Sequence, residues 1–501
     1  MQDGKESSCC WSEQEERRLK WKIDAQVLPL TLLLYTLSFL DRTNIGQARL
    51  IGLQEQLSLS FHDYQVALTV LYAPYIAFEI PSNLLIKKIG PARLIPFLVT
   101  AWGIVSTLQG IVTTRTGLFI NRAFLGFAET GILPGLALYL TFFYKASEIQ
   151  LRQAIYFSGA SLAGAFNGVL STAINLLSGR AGLLGWSWLF ILEGIFTVLV
   201  GIACFSILPN DASKLWWCSE REKQIAEERV EQSRFTMRVI KDVQKSNETL
   251  DMPRAAAATR TGEPFSWSEV GRAFTDPLVL LVWVAGLCDA SGVYGLAFFA
   301  PTIIKGLPLG LTTVQAQLLS SPPFAAAFLT SIILALVSDR LRWRYLTGLI
   351  GFLLAIGGLA MAYASTNAKV QYGGLIVMSM GLYTLPSSLI TWVLSSTGGY
   401  YKRATAIALL IVGTNSGGII GTWLFDPTEA PRFRRGFITL LVLQCVGLLS
   451  ISILEAYLLW ERRSGKERHA DWISELKAQG CSEESIRQLL GDRHPDFVRE
   501  L

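Results

Sequence analysis

The sequence predicts an all-α membrane protein whose twelve transmembrane helices form two six-helix bundles. Three observations lead there. The 501 residues are 51% hydrophobic and only 17% charged, whereas soluble domains carry roughly 25% charge. Apolar runs of about 20 residues, long enough to cross a bilayer as a helix, recur along the whole chain. One long charged segment interrupts them after the sixth run.

The first run, Val27–Ile45, follows a polar tail, residues 1–26, and has no small-residue cleavage site. It therefore reads as a retained signal anchor. Tyr64–Ile86 follows with Pro74 inside it, then Arg93–Val112, then Gly117–Phe143 with Pro134 inside it. Arg152–Leu177 carries Gly159, Gly164 and Gly168, and Trp186–Leu208 closes a first bundle over residues 27–208. Residues 209–276 form a linker, in which Ser219-Glu220-Arg221-Glu222 has the spacing of a capping box that opens a charged helix. A second bundle spans residues 277–460. Its helices are Pro277–Ile303, Gln315–Ser338, Arg344–Ala364, Val370–Ser396, Arg403–Phe425 and Gly436–Trp460, followed by a polar tail over 461–501.

Lys and Arg placement sets the orientation. With the N-terminus in the cytoplasm, cytoplasmic segments hold 34 of the 44 basic residues and outer loops 8, while Arg42 and Arg122 lie within helices. Both termini and the linker are thus expected in the cytoplasm. The N-x-[ST] sequon at Asn247 falls in that linker.

The two halves share their unusual residues at matched depths. Pro134 in helix 4 corresponds to Pro386 in helix 10, and Asp41 in helix 1 to Asp289 in helix 7. Pro74 in helix 2 corresponds to Pro322 and Pro323 in helix 8. The glycines of helix 5 correspond to Gly413, Gly417, Gly418 and Gly421 in helix 11. Each pair is six helices apart, as in a parallel repeat about an axis along the membrane normal.

Several classes of function are excluded. The seven cysteines lack regular spacing and the three histidines lack metal-ligand spacing. No phosphate-binding glycine loop is present, and no nucleophile–base set suggests an enzyme. Nothing points to a nucleic-acid partner, and no cofactor is expected.

The architecture resembles the major facilitator superfamily from about Val27 to Trp460, and more narrowly the fungal anion:cation symporters, which include allantoate and nicotinate permeases. Four stretches carry this resemblance: Leu40-Asp41-Arg42-Thr43-Asn44-Ile45-Gly46 in helix 1, Pro81 to Pro91 after helix 2, Ser158 to Phe166 with Gly185 to Gly194 in helices 5 and 6, and Gly413 to Gly421 in helix 11. The superfamily's gating-loop motif survives after helix 8 as Ser338-Asp339-Arg340, with Arg342 at its later glycine position. After helix 2, Lys87 replaces the acidic residue.

Ionisable groups at membrane depth are costly unless paired or hydrated, so each is a functional candidate. Arg122 begins Arg122-Ala123-Phe124-Leu125-Gly126, which is similar to the superfamily motif implicated in proton coupling. A buried guanidinium also suits a carboxylate, so Arg122 is the expected counter-cation of the solute and Asp41 or Glu129 the expected titrating group. Glu129 is seven residues on, on the same helix face, so the two read as a switchable bridge or a static ion pair. Asp41 and Arg42 point in different directions, and each needs another partner: a proton and a substrate, or neighbouring helices. Glu193 and Asp289 are further candidates, and Glu79 reads as an anchor. Asn415 reads as a substrate contact or as helix glue, and Tyr294, Tyr383 and Trp392 as packing or as a stacking surface.

The expected function is alternating-access transport of a small organic anion, a carboxylate or vitamin-like solute, by proton symport. The resemblance implies a proton gradient as energy source, a monomer, and the plasma membrane. An exporter of a secondary metabolite and a transporter-like nutrient sensor would keep the same fold and charges.

Overall fold

The computed structural model describes residues 11–239 and 267–478, except 146–147, 342, 399, 427–428 and 430–431. The sequon at Asn247 lies outside the described residues. Among the described residues the regular structure is all helical. The helices are α1 (Glu13–Leu50), α2 (Phe61–Ile89), α3 (Pro91–Gln109), α4 (Arg115–Leu140), α5 (Ile149–Asn175) and α6 (Gly185–Ile207). The second half comprises α7 (Pro277–Lys305), α8 (Thr313–Ser338), α9 (Arg344–Ala364), α10 (Ala368–Ser396), α11 (Tyr400–Trp423) and α12 (Arg434–Ala478).

Ten of these helices are long and apolar enough to cross a membrane. The other two, α2 and α5, have 29 and 27 residues, ample for a span, but are more polar. Many of their polar residues are buried: Gln65, Glu79 and Asn83 on α2, and Gln153, Ser158, Ser161, Asn167 and Ser171 on α5. A helix that turns its polar face to the protein interior loses hydropathy without exposing anything to lipid.

Burial follows a period of three helices. In α1, α4, α7 and α10, 61–83% of the most apolar window is buried, against 33–50% in α3, α6, α9 and α12. The first set forms the centre and the second the lipid-facing rim, where Phe97, Leu199, Leu353 and Leu449 are exposed.

The repeat read from the sequence reappears as geometry. α4 breaks between Glu129 and Ile132, and α10 between Leu382 and Leu385. In α4 the break turns on Gly131, at φ 81°, where a side chain would collide with Ser82. The glycine rows of α5 and α11 are contact surfaces. Gly159 abuts α1, and Gly164 and Gly168 abut α8; Gly417 and Gly421 abut α7, and Gly418 abuts Tyr72 of α2. Adding six to each partner of α5, modulo twelve, gives the partners of α11.

On the face that carries both chain ends, α1 extends as one helix back to Glu13. A capping box of Ser12 and Glu15 starts it, so residues 13–26, read above as tail, are helical. α12 likewise continues to Ala478. A linker helix, Glu220–Val239, docks on the first half. It opens at the expected Ser219 box, with Glu222 N donating to Ser219 Oγ at 3.3 Å. Arg229, fully buried, meets Glu148 at 3.2 Å and Glu16 at 3.6 Å. Lys22 meets Glu222 at 2.7 Å and holds that carboxyl below the usual carboxylate range.

The α7–α11 approach makes a direct test. A Cβ on Gly417 would stand 2.2 Å from the Leu287 carbonyl oxygen, whereas one on Gly357 of α9 meets nothing within 4 Å. Gly417→Ala should cost about 1–3 kcal/mol through overpacking, while Gly357→Ala should be neutral or stabilising by up to about 1 kcal/mol. Thermal unfolding of the purified protein in detergent reads both. Equal melting temperatures would mean the two helices do not meet there.

Candidate functional site

A cavity lies between the two halves, lined from α1, α4, α5, α7, α10 and α11. Its wall is mainly aromatic and aliphatic. Tyr35 and Phe39 come from α1, Tyr294 from α7 and Tyr383 from α10. The Phe39 and Tyr294 rings stack at 6.1 Å between centroids, and Tyr383 meets Phe39 edge-on. Tyr294 and Tyr383 thus face the cavity, whereas Trp392 is buried outside its lining.

Three of the charged and polar candidates line this cavity: Arg42, Asp289 and Asn415. Arg42 is its cation. Its Nε donates to Glu129 Oε2 at 2.5 Å, and its Nη1 donates to Tyr294 OH at 3.0 Å. The guanidinium carbon lies 4.6 Å from the centre of the Tyr75 ring. Arg42 is 3% exposed and Glu129 not at all, so each is the other's charge compensation in a low-dielectric interior. The Arg42–Tyr294 bond also joins the two halves.

The expected Arg122–Glu129 bridge is therefore replaced by Arg42–Glu129. Seven residues bring Arg122 and Glu129 to one face but separate them by two turns, about 10.5 Å along the axis. Arg42, on the facing helix, is level with Glu129. Arg122 is buried without lining the cavity; its Nε and Nη2 have no hydrogen-bond partner among the described residues, and its guanidinium lies 5.9 Å from the Phe190 ring.

Asp41 turns away from Arg42, as adjacent residues on a helix must. It accepts from the Trp102 indole and from Ser106 Oγ, the latter at 2.8 Å, both on α3. Glu193 of α6 accepts from Asn44 Nδ2. Both acids thus sit inside the first half, away from the cavity. Glu79 accepts from the Gly131 amide at 3.4 Å, bracing the α4 break. Of the gating-loop pair, Arg340 is exposed in the last helical turn, which carries α8 on to Leu341; the side chain of Asp339 lies outside the described residues.

Sequence reasoning passed over Trp102 and Ser106, and over Tyr35, Phe39 and Tyr75. A search confined to charges finds the acid but not the neutral donors that satisfy it. The usable signal for Trp102 was an indole N–H at membrane depth, which needs an acceptor.

Neutral hydrogen bonds close both ends of the interface between halves. Away from the chain ends, Gln317 of α8 donates to Gln47 of α1 at 3.1 Å and accepts from Thr172 of α5 at 3.1 Å. There also, Trp423 of α11 donates to Thr69 of α2 at 3.0 Å. At the end near the termini, Asn83 of α2 donates to the Ala404 carbonyl of α11 at 2.7 Å.

Comparison with known proteins agrees with this architecture. The family model of the Major Facilitator Superfamily matches residues 31–422. An uncharacterized transporter of Schizosaccharomyces pombe is 31% identical over 91% of this chain and 86% of its own length. The high-affinity nicotinic acid transporter of Saccharomyces cerevisiae is 28% identical over 97% of this chain and 85% of its own length. Among solved structures, a bacterial homologue of the human lysosomal transporter Spinster, inward-facing and unoccupied, superposes with a TM-score of 0.58 at 16% identity. It covers 88% of this chain and 98% of its own.

The ion pair predicts a strongly non-additive mutant cycle. Arg42→Met leaves Glu129 buried and unpaired, a loss of about 3–5 kcal/mol. Adding Glu129→Gln should recover at least about 1 kcal/mol of it. Arg122→Met and Glu129→Gln should couple more weakly, since these two groups interact only through charge at a distance. Thermal unfolding of the purified variants measures both cycles, and coupling in the second but not the first would reverse the assignment.

Proposed function

The chain belongs to the Major Facilitator Superfamily and is a multi-pass membrane transporter; from that premise we propose that it is a secondary active carrier coupling a small organic anion to protons. The observation that carries the proposal is the Arg42–Glu129 pair, whose Arg42 lines the cavity. A carboxylate entering the cavity meets one cation, and that cation is already engaged. To bind it, the substrate must draw Arg42 away from Glu129. A buried carboxylate stripped of its cation costs several kcal/mol, and taking a proton removes that cost. Anion at Arg42 and proton at Glu129 therefore favour one another, and by linkage each raises the affinity for the other.

No cofactor enters this scheme; the proton gradient supplies the energy. Alternating access follows if the neutral bonds at the two ends open in turn. Both halves of the cavity come from one chain, so a monomer suffices. A relative named for nicotinic acid, itself an aromatic carboxylic acid, supports this class of substrate. The bias of Lys and Arg supports cytoplasmic termini, and the plasma membrane is the proposed location.

The test is accumulation of labelled nicotinate, allantoate, pantothenate and aliphatic carboxylates by cells expressing the chain, with and without a protonophore. One anion should accumulate, and the protonophore should abolish its accumulation. Arg42→Ala should reduce uptake about tenfold or more, the equivalent of a lost charge-assisted hydrogen bond. Glu129→Gln should abolish accumulation yet retain exchange of substrate across the membrane. Accumulation indifferent to the protonophore would refute proton coupling, and uptake unchanged in Arg42→Ala would refute the role of that cation.

A further inference from the structure

The two walls of the cavity differ in chemistry. On the α1 side stands the guanidinium of Arg42. On the opposite side, α7, α10 and α11 contribute Asp289, Tyr383 and Asn415, each at most 3% exposed. Both carboxylate oxygens of Asp289, the Tyr383 hydroxyl and Asn415 Oδ1 lack a hydrogen-bond partner among the described residues. The Asn415 amide has a fixed sense. Its Nδ2 donates to the Ile411 carbonyl at 2.9 Å, as only an N–H can, which leaves the oxygen unsatisfied. This wall therefore presents acceptors: a carboxylate, an amide oxygen and a phenol able to act either way. The rest of its lining is almost wholly apolar.

Buried acceptors are satisfied only by something that brings N–H or O–H groups, and an unmet one costs about 1–3 kcal/mol, more if charged. A simple monocarboxylate brings none. It would also leave Asp289 without a cation to pair with, so that this acid would need a proton of its own to stay buried.

We propose that the solute is bifunctional, with a carboxylate for Arg42 and, at its other end, a protonated amine or similar cationic N–H group received by Asp289 and Asn415. The inference rests on Arg42 being the carboxylate's partner, and it narrows the substrate class from organic anion to zwitterion. The charges then balance. With Glu129 protonated, Arg42 faces the carboxylate, Asp289 faces the ammonium, and no ion in the cavity is left alone. The aromatic side chains between the two poles cover the solute's apolar middle.

The test uses the purified full-length chain in lipid nanodiscs and two triads of small molecules of different length: 4-(aminomethyl)benzoate, 4-methylbenzoate and 4-methylbenzylamine; and 5-aminovalerate, valerate and pentylamine. Affinity is read from intrinsic tryptophan fluorescence. In at least one triad the double-ended member should bind about tenfold or more tighter than both single-ended ones. Asp289→Asn, nearly isosteric, should remove that advantage by weakening the double-ended member about tenfold or more, while the carboxylate-only member binds no more weakly than before. The wild-type comparison decides even if the variant does not fold. If the carboxylate-only member binds as tightly as the double-ended one, the zwitterion inference falls and the anion reading stands. If the amine-only member binds as tightly and the carboxylate does not bind, or if no member binds, both fall. If Asp289→Asn weakens both carboxylates equally, Asp289 acts on something other than the amine, and the inference is overturned.

Discussion

A guanidinium at membrane depth is costly unless it is paired or hydrated, and the pairing of Arg42 organises the centre of this protein. Arg42 is held by Glu129, and Glu129 is the last residue of the first segment of α4. Its position depends on the break at Gly131, a residue with a left-handed backbone that tolerates no side chain against Ser82. Glu79 in turn accepts from the amide of that glycine. The ion pair, the helix break and the buried acid on α2 form one dependent series. Disturbing the backbone at Gly131 would move the charge on which Arg42 relies.

The internal repeat duplicates shape but not charge. Helix breaks recur in α4 and α10, and glycine contact rows in α5 and α11. Yet the charged lining of the cavity, among the described residues, is the cation Arg42 from the first half and the acid Asp289 from the second. The matched pair Asp41 and Asp289 makes the point. Asp41 faces inward to α3, where an indole and a hydroxyl satisfy it. Asp289, at the corresponding depth, faces the cavity and has no such donors among the described residues. Packing tolerates duplication because it is set by backbone approach. A solute with unlike ends requires that the two walls differ.

Much of this was legible in the sequence, because bilayer thickness fixes helix length and proline and glycine mark breaks and contacts. Pro134 and Pro386 located the interruptions, and Ser219 with Glu222 located the start of the linker helix. Hydropathy could not show that residues 13–26 extend α1, since it registers apolar runs and this segment is charged. The Ser12–Glu15 capping box was the readable signal there. The partner of Glu129 was not readable from helix spacing, because an ion pair between α1 and α4 depends on how the two helices slide past each other. Arg122 shared a face with Glu129, but reach decides an ion pair, and it lies two turns away.

The strengths of the contacts suggest how these parts share the work. The bonds that close the two ends are neutral: Gln317 with Gln47 and Thr172, Trp423 with Thr69, and Asn83 with Ala404. Each contributes about 0.5–1.5 kcal/mol net, so either end opens at modest cost. A buried charge left without its partner costs several times more. Only states in which every cavity charge is paired or neutralised can therefore be well populated, and weak gates let those states interchange. On this argument selectivity resides in the charges around the cavity, while the interface between the halves supplies the freedom to move.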